Sequence, residues 1–140
     1  MPFKRYHIFF LLFFGTVSAQ YITTDASRTP LQLIENVLIN SGCTSVSNVA
    51  VSGGNFTSGD TSYGYFNGNG STFPFQEGII LSTGKIIHAR GPNDFISDDG
   101  ANMGWIGDQD LNYALGISNS VNATVLEFDF VPLGNQISFD

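Results

Sequence analysis

Near the start of the globular part of the chain, hydrophobic positions recur with the period of a helix. The apolar side chains at this spacing are Leu31, Ile34, Val37 and Leu38. Thr29 can cap such a helix, Pro30 suits its first position, and Gln32 completes a capping box. Ser41-Gly42 is a stop signal, because glycine accepts the left-handed conformation that ends many helices. The pattern therefore predicts one N-terminal helix over residues 30 to 40.

Beyond residue 45 the period shortens to two, which predicts β-strands. The expected strands run from 46 to 51, 62 to 67, 79 to 83 and 121 to 131. The last strand is the clearest, with Leu126, Phe128 and Phe130 on one face and Glu127 and Asp129 on the other. The set predicts a mainly β fold, an antiparallel β-sandwich-like domain with one N-terminal helix.

Two glycine-rich stretches separate these strands. The first, residues 52 to 71, contains aromatic side chains that favour packing over a flexible linker, with a turn at Asn67-Gly68-Asn69-Gly70. The second, residues 88 to 107, forms a long loop, and loops of this length are usually functional or disordered. Its large apolar members predict that part of it packs down; they are Met103, Trp105 and Ile106. A short helix with Asp108 as its cap is expected next, up to Leu115.

The first 19 residues have the three-part layout of a secretory signal peptide. Lys4 and Arg5 precede an unbroken apolar run from Ile8 to Phe14, and Val17-Ser18-Ala19 is a small-residue cleavage site. The apolar run is well short of the roughly 20 residues that a membrane-spanning helix needs. We therefore expect cleavage between Ala19 and Gln20, which leaves one domain over residues 20 to 140, export from the cell, and no transmembrane span in the mature chain.

Charge narrows the range of partners. The chain has five basic and twelve acidic residues, and the signal peptide holds two of the basic ones. The remaining domain keeps three basic residues, Arg28, Lys85 and Arg90, against all twelve acids, which is a net charge of −9. Such a domain repels phosphate backbones, so nucleic acid is not an expected partner. A polar surface built from serine, threonine, asparagine and glycine is usual for exported β-proteins.

One cysteine, Cys43, raises the question of its partner. It is either a small buried hydrophobic residue or half of a disulfide with a cysteine beyond residue 140. The printed sequence stops at Ile137 to Asp140, within an alternating strand pattern. This pattern predicts that the domain is incomplete at its C-terminus and that residues 20 to 140 alone do not fold to a stable monomer.

Several motifs in order resemble the choice-of-anchor L domain family. They are Leu33-Ile34, the run Val37 to Cys43, the run Val51 to Phe56, Tyr63 to Phe66, Phe75, the run Gly78 to Gly84, Gly91-Pro92-Asn93, Asp98-Asp99-Gly100, Gly104-Trp105, Gly107-Asp108, Asp110-Leu111, and the run Ala123 to Pro132. The resemblance covers nearly all of residues 21 to 140.

The resemblance implies a secreted or cell-surface protein of the Bacteroidetes group. Members usually carry differing C-terminal anchoring or sorting segments, commonly those of type IX secretion or of a gliding-motility-associated C-terminal domain. The family pattern would continue past Asp140 with a further strand, an acidic-aromatic motif and more cysteines. The resemblance implies location and class, and it leaves the molecular activity undefined.

An acidic stretch is the candidate metal site. Asp98, Asp99, Asp108 and Asp110 lie within 13 residues, with glycines between them. Calcium prefers several oxygen ligands, and glycine lets a loop wrap around the ion. The spacing is not that of an EF-hand loop. The alternative is that Asp98 caps a turn and Asp108 caps a helix. Ca²⁺ is the one cofactor that the sequence suggests.

The sequence contains few signals for catalytic or ligand-binding residues. Carboxylate neighbours such as Glu127 and Asp129 are expected to be solvated, and His88 is the only histidine after the signal peptide, so no catalytic residue is predicted. Tyr63, Tyr65 and Trp105 could form a platform on which a sugar stacks, although core packing is the commoner role of aromatics in a β-sandwich.

Two hypotheses follow from these observations. The first is a non-catalytic extracellular or cell-surface module with an adhesive or structural role, whose partner is a surface glycan or a protein. The alternative is an extracellular hydrolase or its carbohydrate-binding accessory domain. A repeat-rich stalk with a sorting tail in the complete gene would favour the first, and an adjoining hydrolase domain would favour the second.

Overall fold

The computed structural model describes residues 21–39, 45–92 and 104–132. Five strands carry the fold: β1 (Thr23–Asp25), β2 (Ser45–Ser52), β3 (Tyr63–Asn67), β4 (Glu77–Leu81) and β5 (Val125–Val131). The helical elements are α1 (Pro30–Leu33), a π-helical turn (Ile34–Leu38), a 3-10 helix (Ile86–Arg90) and α2 (Gln109–Leu115).

The N-terminal helix begins where its capping signals predict. The Thr29 hydroxyl accepts a hydrogen bond from the Gln32 amide, and the Gln32 side chain accepts one from the Thr29 amide, so the capping box is complete. The helix widens after its first turn, and the Ile39 amide donates to the Ile34 carbonyl five residues back. Leu33 and Ile34 are fully buried there. The predicted stop at Ser41-Gly42 lies outside the described residues.

The strands form two antiparallel sheets, which confirms the predicted mainly β fold class. One sheet has three strands in the order β1-β3-β4, and the other pairs β2 with β5. Strand β1 is not among the strands that the sequence pattern predicted. Nine residues, 68 to 76, connect β3 to β4. The predicted turn at Asn67-Gly68-Asn69-Gly70 opens this connection, and Asn69 has a φ of 52°.

The three-stranded sheet carries much of the buried core. Gly64 and Phe66 are buried on β3, Ser62 is buried just before it, and Ile86 from the 3-10 helix is 1% exposed. Glycine is required at Gly78 on β4, since a β-carbon there would lie 2.7 Å from the Phe66 ring. The Phe66 ring therefore occupies the space that a side chain on β4 would otherwise fill.

The two-stranded sheet shows the predicted alternation without deep burial. Leu126, Phe128 and Phe130 are half-buried, whereas Glu127 and Asp129 are exposed, as predicted. No side chain of β2 or β5 is fully buried. The pairing register shifts between Ser47 and Ala50, where Asn48 takes a left-handed φ of 52° and donates from its side-chain amide to Asp129.

A buried chain of hydrogen bonds connects the two sheets. The Gly54 amide donates to the Ser62 hydroxyl, and Thr124 Oγ1 lies 2.7 Å from Ser62 Oγ and 2.6 Å from the Ser82 carbonyl oxygen. A carbonyl only accepts, so the single Thr124 proton goes to Ser82 and the Ser62 proton goes to Thr124. Every described buried side-chain nitrogen or oxygen has a hydrogen-bond partner.

The predicted loop and the following segment are only partly packed. Trp105 is half-buried and contacts the Phe56 ring edge-on, with the ring centroids 5.9 Å apart. The expectation that Ile106 packs down is wrong, because that side chain is 78% exposed. The last strand starts at Val125 rather than at residue 121, since Asn122 has a left-handed φ of 57° that interrupts the extended backbone.

Candidate functional site

An open groove of about 350 Å³ lies where three segments meet. The segments are residues 21–22 before β1, residues 71–74 in the β3–β4 connection, and residues 89–92 at the end of the 3-10 helix. The segments are far apart in the sequence. The first two come together because β1 and β4 both pair with β3, and the third is joined to β1 by hydrogen bonds from Arg90 to Thr24.

The apolar part of the groove is formed by aromatic rings and prolines that remain accessible. Tyr21 is 46% exposed and Phe73 is 42% exposed. Phe73 is held by an edge-on contact with the buried Phe66 ring, with centroids 5.4 Å apart at 86°. Pro74 and Pro92 are also exposed in the lining. The groove therefore presents flat apolar surfaces of the kind that ligands stack on.

The connection that carries Phe73 is tied to the segment that carries Tyr21. The Asn69 side-chain amide donates to the Tyr21 carbonyl at 3.4 Å, and the Asn69 backbone amide donates to the Asn67 side chain at 2.8 Å. The Ser71 hydroxyl accepts from the Phe73 amide at 3.2 Å. These local bonds hold the backbone of the two segments that carry the rings.

Arg90 supplies the only charge among the described residues that line the groove. Its Nε donates to the Thr24 hydroxyl and its Nη2 donates to the Thr24 carbonyl, both at 3.0 Å. Two of the five guanidinium donors thus fix the side chain against β1. No carboxylate in the described ranges forms an ion pair with Arg90. Gly91, which follows it, has a φ of 74° that glycine adopts without strain.

A second charged cluster lies at the end of β1. Asp25 accepts hydrogen bonds from the Ser27 hydroxyl at 2.6 Å and the Ser27 amide at 2.8 Å, and it pairs with Arg28 at 3.6 Å. The Ser27 hydrogen bonds, assisted by the Arg28 charge, hold the pKa of Asp25 below its usual value. The Arg28 guanidinium in turn lies 3.6 Å from the centre of the Tyr65 ring.

The aromatic residues predicted to face a ligand lie outside the groove. Tyr65 has one ring face covered by Arg28, and its hydroxyl donates to Glu77 at 2.5 Å. Tyr63 is half-buried. Trp105 donates from its indole nitrogen to the Ala123 carbonyl at 2.7 Å and packs on Phe56. Their role in ligand binding stays a prediction, and the groove offers a different set of rings.

The predicted acidic site is described only in part. Asp98 and Asp99 lie outside the described residues, as do Cys43 and the Ala19 and Gln20 pair. Asp108 caps α2 by accepting a hydrogen bond from the Leu111 amide at 2.6 Å, and Asp110 is exposed in the first turn. Across residues 21–39, 45–92 and 104–132 no three His, Cys, Asp or Glu side chains group closely enough to hold a metal ion. Calcium binding stays a prediction.

Sequence reasoning did not identify the groove, although two signals were present. The Phe73-Pro74-Phe75 run places large apolar residues in a polar, glycine-rich connection, and Phe75 is 54% exposed. Arg90 is one of only three basic residues in an acidic domain. Nothing in the spacing of these residues indicated that they meet, because their proximity depends on strand pairing.

Comparison with known proteins gives one match. A family model described as "Choice-of-anchor L domain" matches residues 21–140 and confirms the resemblance seen in the sequence. Neither the curated proteins nor the solved structures include a match. Within the described part of the chain, none of the helices has the length and apolar character needed to cross a membrane.

Proposed function

The chain belongs to the choice-of-anchor L domain family, and on that premise we propose that it is a non-catalytic extracellular module that holds a surface ligand in the groove. Family membership supports the location, because the family consists of surface-associated or extracellular modules. An adhesive role is the finer proposal, and it rests on the groove described above.

The observation that carries the proposal is that two accessible rings lie on segments held by packing and hydrogen bonds. Tyr21 and Phe73 stay 46% and 42% exposed, while Phe73 packs against Phe66 and the Tyr21 carbonyl accepts a bond from Asn69. Exposed apolar surface that is rimmed by polar groups is typical of binding sites. A surface that is already ordered loses little entropy when a ligand binds, which favours affinity.

Ring-truncation variants test the groove. The full chain would be titrated by calorimetry with a panel of polysaccharides and peptides, and Tyr21→Ala and Phe73→Ala would be compared with Tyr113→Ala. Tyr113 is the matched control because it is 91% exposed on α2 and does not line the groove. Loss of one stacking ring is worth roughly 1–3 kcal/mol, so we expect about tenfold weaker binding for the groove variants.

The outcomes separate the hypotheses. Equal affinity for Tyr21→Ala and Tyr113→Ala would place the ligand elsewhere and refute the groove proposal. Because Phe73 also packs on Phe66, a thermal melt of Phe73→Ala is required to show that the fold is retained. Release of shorter sugars from the panel during titration would support the hydrolase alternative instead.

We propose further that residues 1 to 19 direct the chain to export and are then removed by cleavage. The support is the sequence alone, namely the apolar run followed by Val17-Ser18-Ala19. N-terminal sequencing of the secreted protein should begin at Gln20. A secreted product that retains Phe9 to Phe14 would contradict the proposal, and antibody labelling of intact cells would show whether the product stays at the surface.

A further inference from the structure

We propose that the ligand of the groove is a carboxylated polysaccharide, with Arg90 binding a sugar carboxylate while Tyr21 and Phe73 stack on the sugar faces. The inference rests on the proposed function, because it assigns a chemical class to the ligand of the same site. It follows from the charge, the geometry and the polar groups of the groove.

The charge of the lining is opposite to that of the protein. The domain that remains after signal cleavage carries a net charge of −9, yet the lining formed by the described residues holds one cation, Arg90, and no carboxylate. The net charge of −9 opposes a polyanion as a whole, but charges beyond about 10 Å are screened at an ionic strength of 0.1 M, so the attraction is local to the guanidinium. The groove therefore favours a ligand with negative charge at this position.

The geometry of Arg90 suits a planar anion. Thr24 fixes the guanidinium through Nε and Nη2, both at 3.0 Å, so the orientation of its plane is set before a ligand arrives. A guanidinium binds a carboxylate with parallel N–H···O bonds, and a fixed guanidinium loses less side-chain entropy when those bonds form. Uronic acids present such a carboxylate on a sugar ring.

The remaining lining matches the rest of a sugar. Tyr21 and Phe73 offer flat apolar surfaces, and Ser71 and Thr72 place hydroxyl groups beside them. A sugar ring has apolar faces and a polar edge, so it uses both features. A proline-rich peptide would use the rings and has no need of a cation, which makes the glycan the better fit.

The experiment uses a pair of probes with the same sugar backbone, one with free carboxylates and one with neutral methyl esters. Oligogalacturonate and its fully methyl-esterified form share one sugar backbone, and esterification removes every carboxylate charge. Calorimetric titration of the full chain should give about tenfold tighter binding to the acidic form, as expected for a hydrogen-bonded charge. Oligoalginate and a proline-rich peptide would be titrated alongside.

Charge variants then assign the preference to Arg90. Arg90→Gln should bind both forms equally, whereas Arg90→Lys should keep part of the preference because the charge remains. Arg28→Gln is the matched control, since it removes the same charge from the Tyr65 ring outside the groove. Thermal melts of each variant show whether loss of the Thr24 contacts has disturbed the fold.

Each outcome decides between the two proposals. Equal affinity for the acidic and esterified forms, or binding of the proline-rich peptide in place of the uronates, would overturn the acidic-glycan inference and leave the binding groove standing. If no glycan or peptide binds, and Tyr21→Ala has no effect on attachment of the protein to cell surfaces, the proposed function fails as well.

Discussion

The two sheets share the same alternating sequence pattern and differ in how deeply they are covered. In the three-stranded sheet the 3-10 helix and the Phe66 ring fill one face, and Ile86 is 1% exposed. In the two-stranded sheet the equivalent apolar residues, such as Phe128 and Phe130, contact each other and stay half-buried. Alternation thus determines which face a side chain takes, and the elements that pack on that face determine its burial.

This difference indicates where stability is concentrated. Burial of a large apolar side chain contributes roughly 1.5–3 kcal/mol, and the contribution falls with the fraction left exposed. The fully buried Leu33, Ile34 and Ile86 belong to the helix and to the layer on the three-stranded sheet. We therefore expect that sheet to tolerate substitution less well than the β2–β5 pair.

The largest expected effect comes from truncation in the covered layer. Ile86→Ala should lower the free energy of unfolding by about 2–5 kcal/mol, because it leaves a cavity among fully packed atoms. Leu126→Ala, its counterpart on the two-stranded sheet, should cost about 1 kcal/mol, since the side chain is already half-exposed. Urea melts of the two variants measure both values, and equal losses would refute the comparison.

A smaller effect is expected at the connection between the sheets. Thr124→Val keeps the shape of the side chain but leaves the Ser62 hydroxyl and the Ser82 carbonyl without their shared partner. We expect a loss of roughly 1–3 kcal/mol, the cost of unsatisfied buried polar groups. Thr124→Ser keeps the hydroxyl and is the control. If Thr124→Val unfolds at the same urea concentration as Thr124→Ser, the hydrogen bonds do not connect the sheets energetically.

The effect of substituting Asn48, at the register shift in β2, should depend on whether the new residue accepts a left-handed backbone conformation. Asn48 has a left-handed φ of 52°, which a β-branched residue adopts only with strain. Asn48→Val should therefore destabilise the protein by about 1–2 kcal/mol relative to Asn48→Gly, which accepts this conformation. Both variants remove the hydrogen bond to Asp129, so the difference between their melting temperatures reports the cost of the left-handed backbone conformation alone. Identical melting temperatures would mean that residue 48 leaves the left-handed conformation when it is substituted, and they would contradict the prediction.

The smallest expected effect is the pH dependence contributed by Asp25 on the three-stranded sheet. Its pKa is held below the ordinary value of 3.8, mainly by the hydrogen bonds from Ser27. The stabilisation is therefore complete above pH 3.8 and is lost as the pH falls through the lowered folded pKa. The carboxylate side chain is 40% exposed, so the contribution should stay under about 1 kcal/mol. Asp25→Asn should reduce the dependence of the free energy of unfolding on pH below 3.8. If the variant loses stability with falling pH as the parent protein does, Asp25 is not responsible for that loss.

Local sequence signals predicted every strand except β1, and they could not predict contacts between segments that are distant in the sequence. The capping box at Thr29 and the cap at Asp108 are complete within four residues, so the sequence sufficed for both helix starts. β1 was missed because three residues, Thr-Thr-Asp, carry no alternation of apolar positions. The groove was missed for another reason, since Tyr21, Phe73 and Arg90 meet only after β1 and β4 have paired with β3.

The hydrogen bonds around Ser62 also bear on how the molecule opens. The Gly54 amide donates to the Ser62 hydroxyl, the Ser62 amide donates to the Gly54 carbonyl, and the Ser82 amide donates to the Ser62 carbonyl. Ser62 is fully buried and its hydroxyl lies 2.7 Å from Thr124 Oγ1 at the entrance to β5, so all three hydrogen bonds depend on the position of Ser62. We therefore expect the three amides to show one common free energy of opening in hydrogen exchange, as members of a single cooperative unit that spans both sheets.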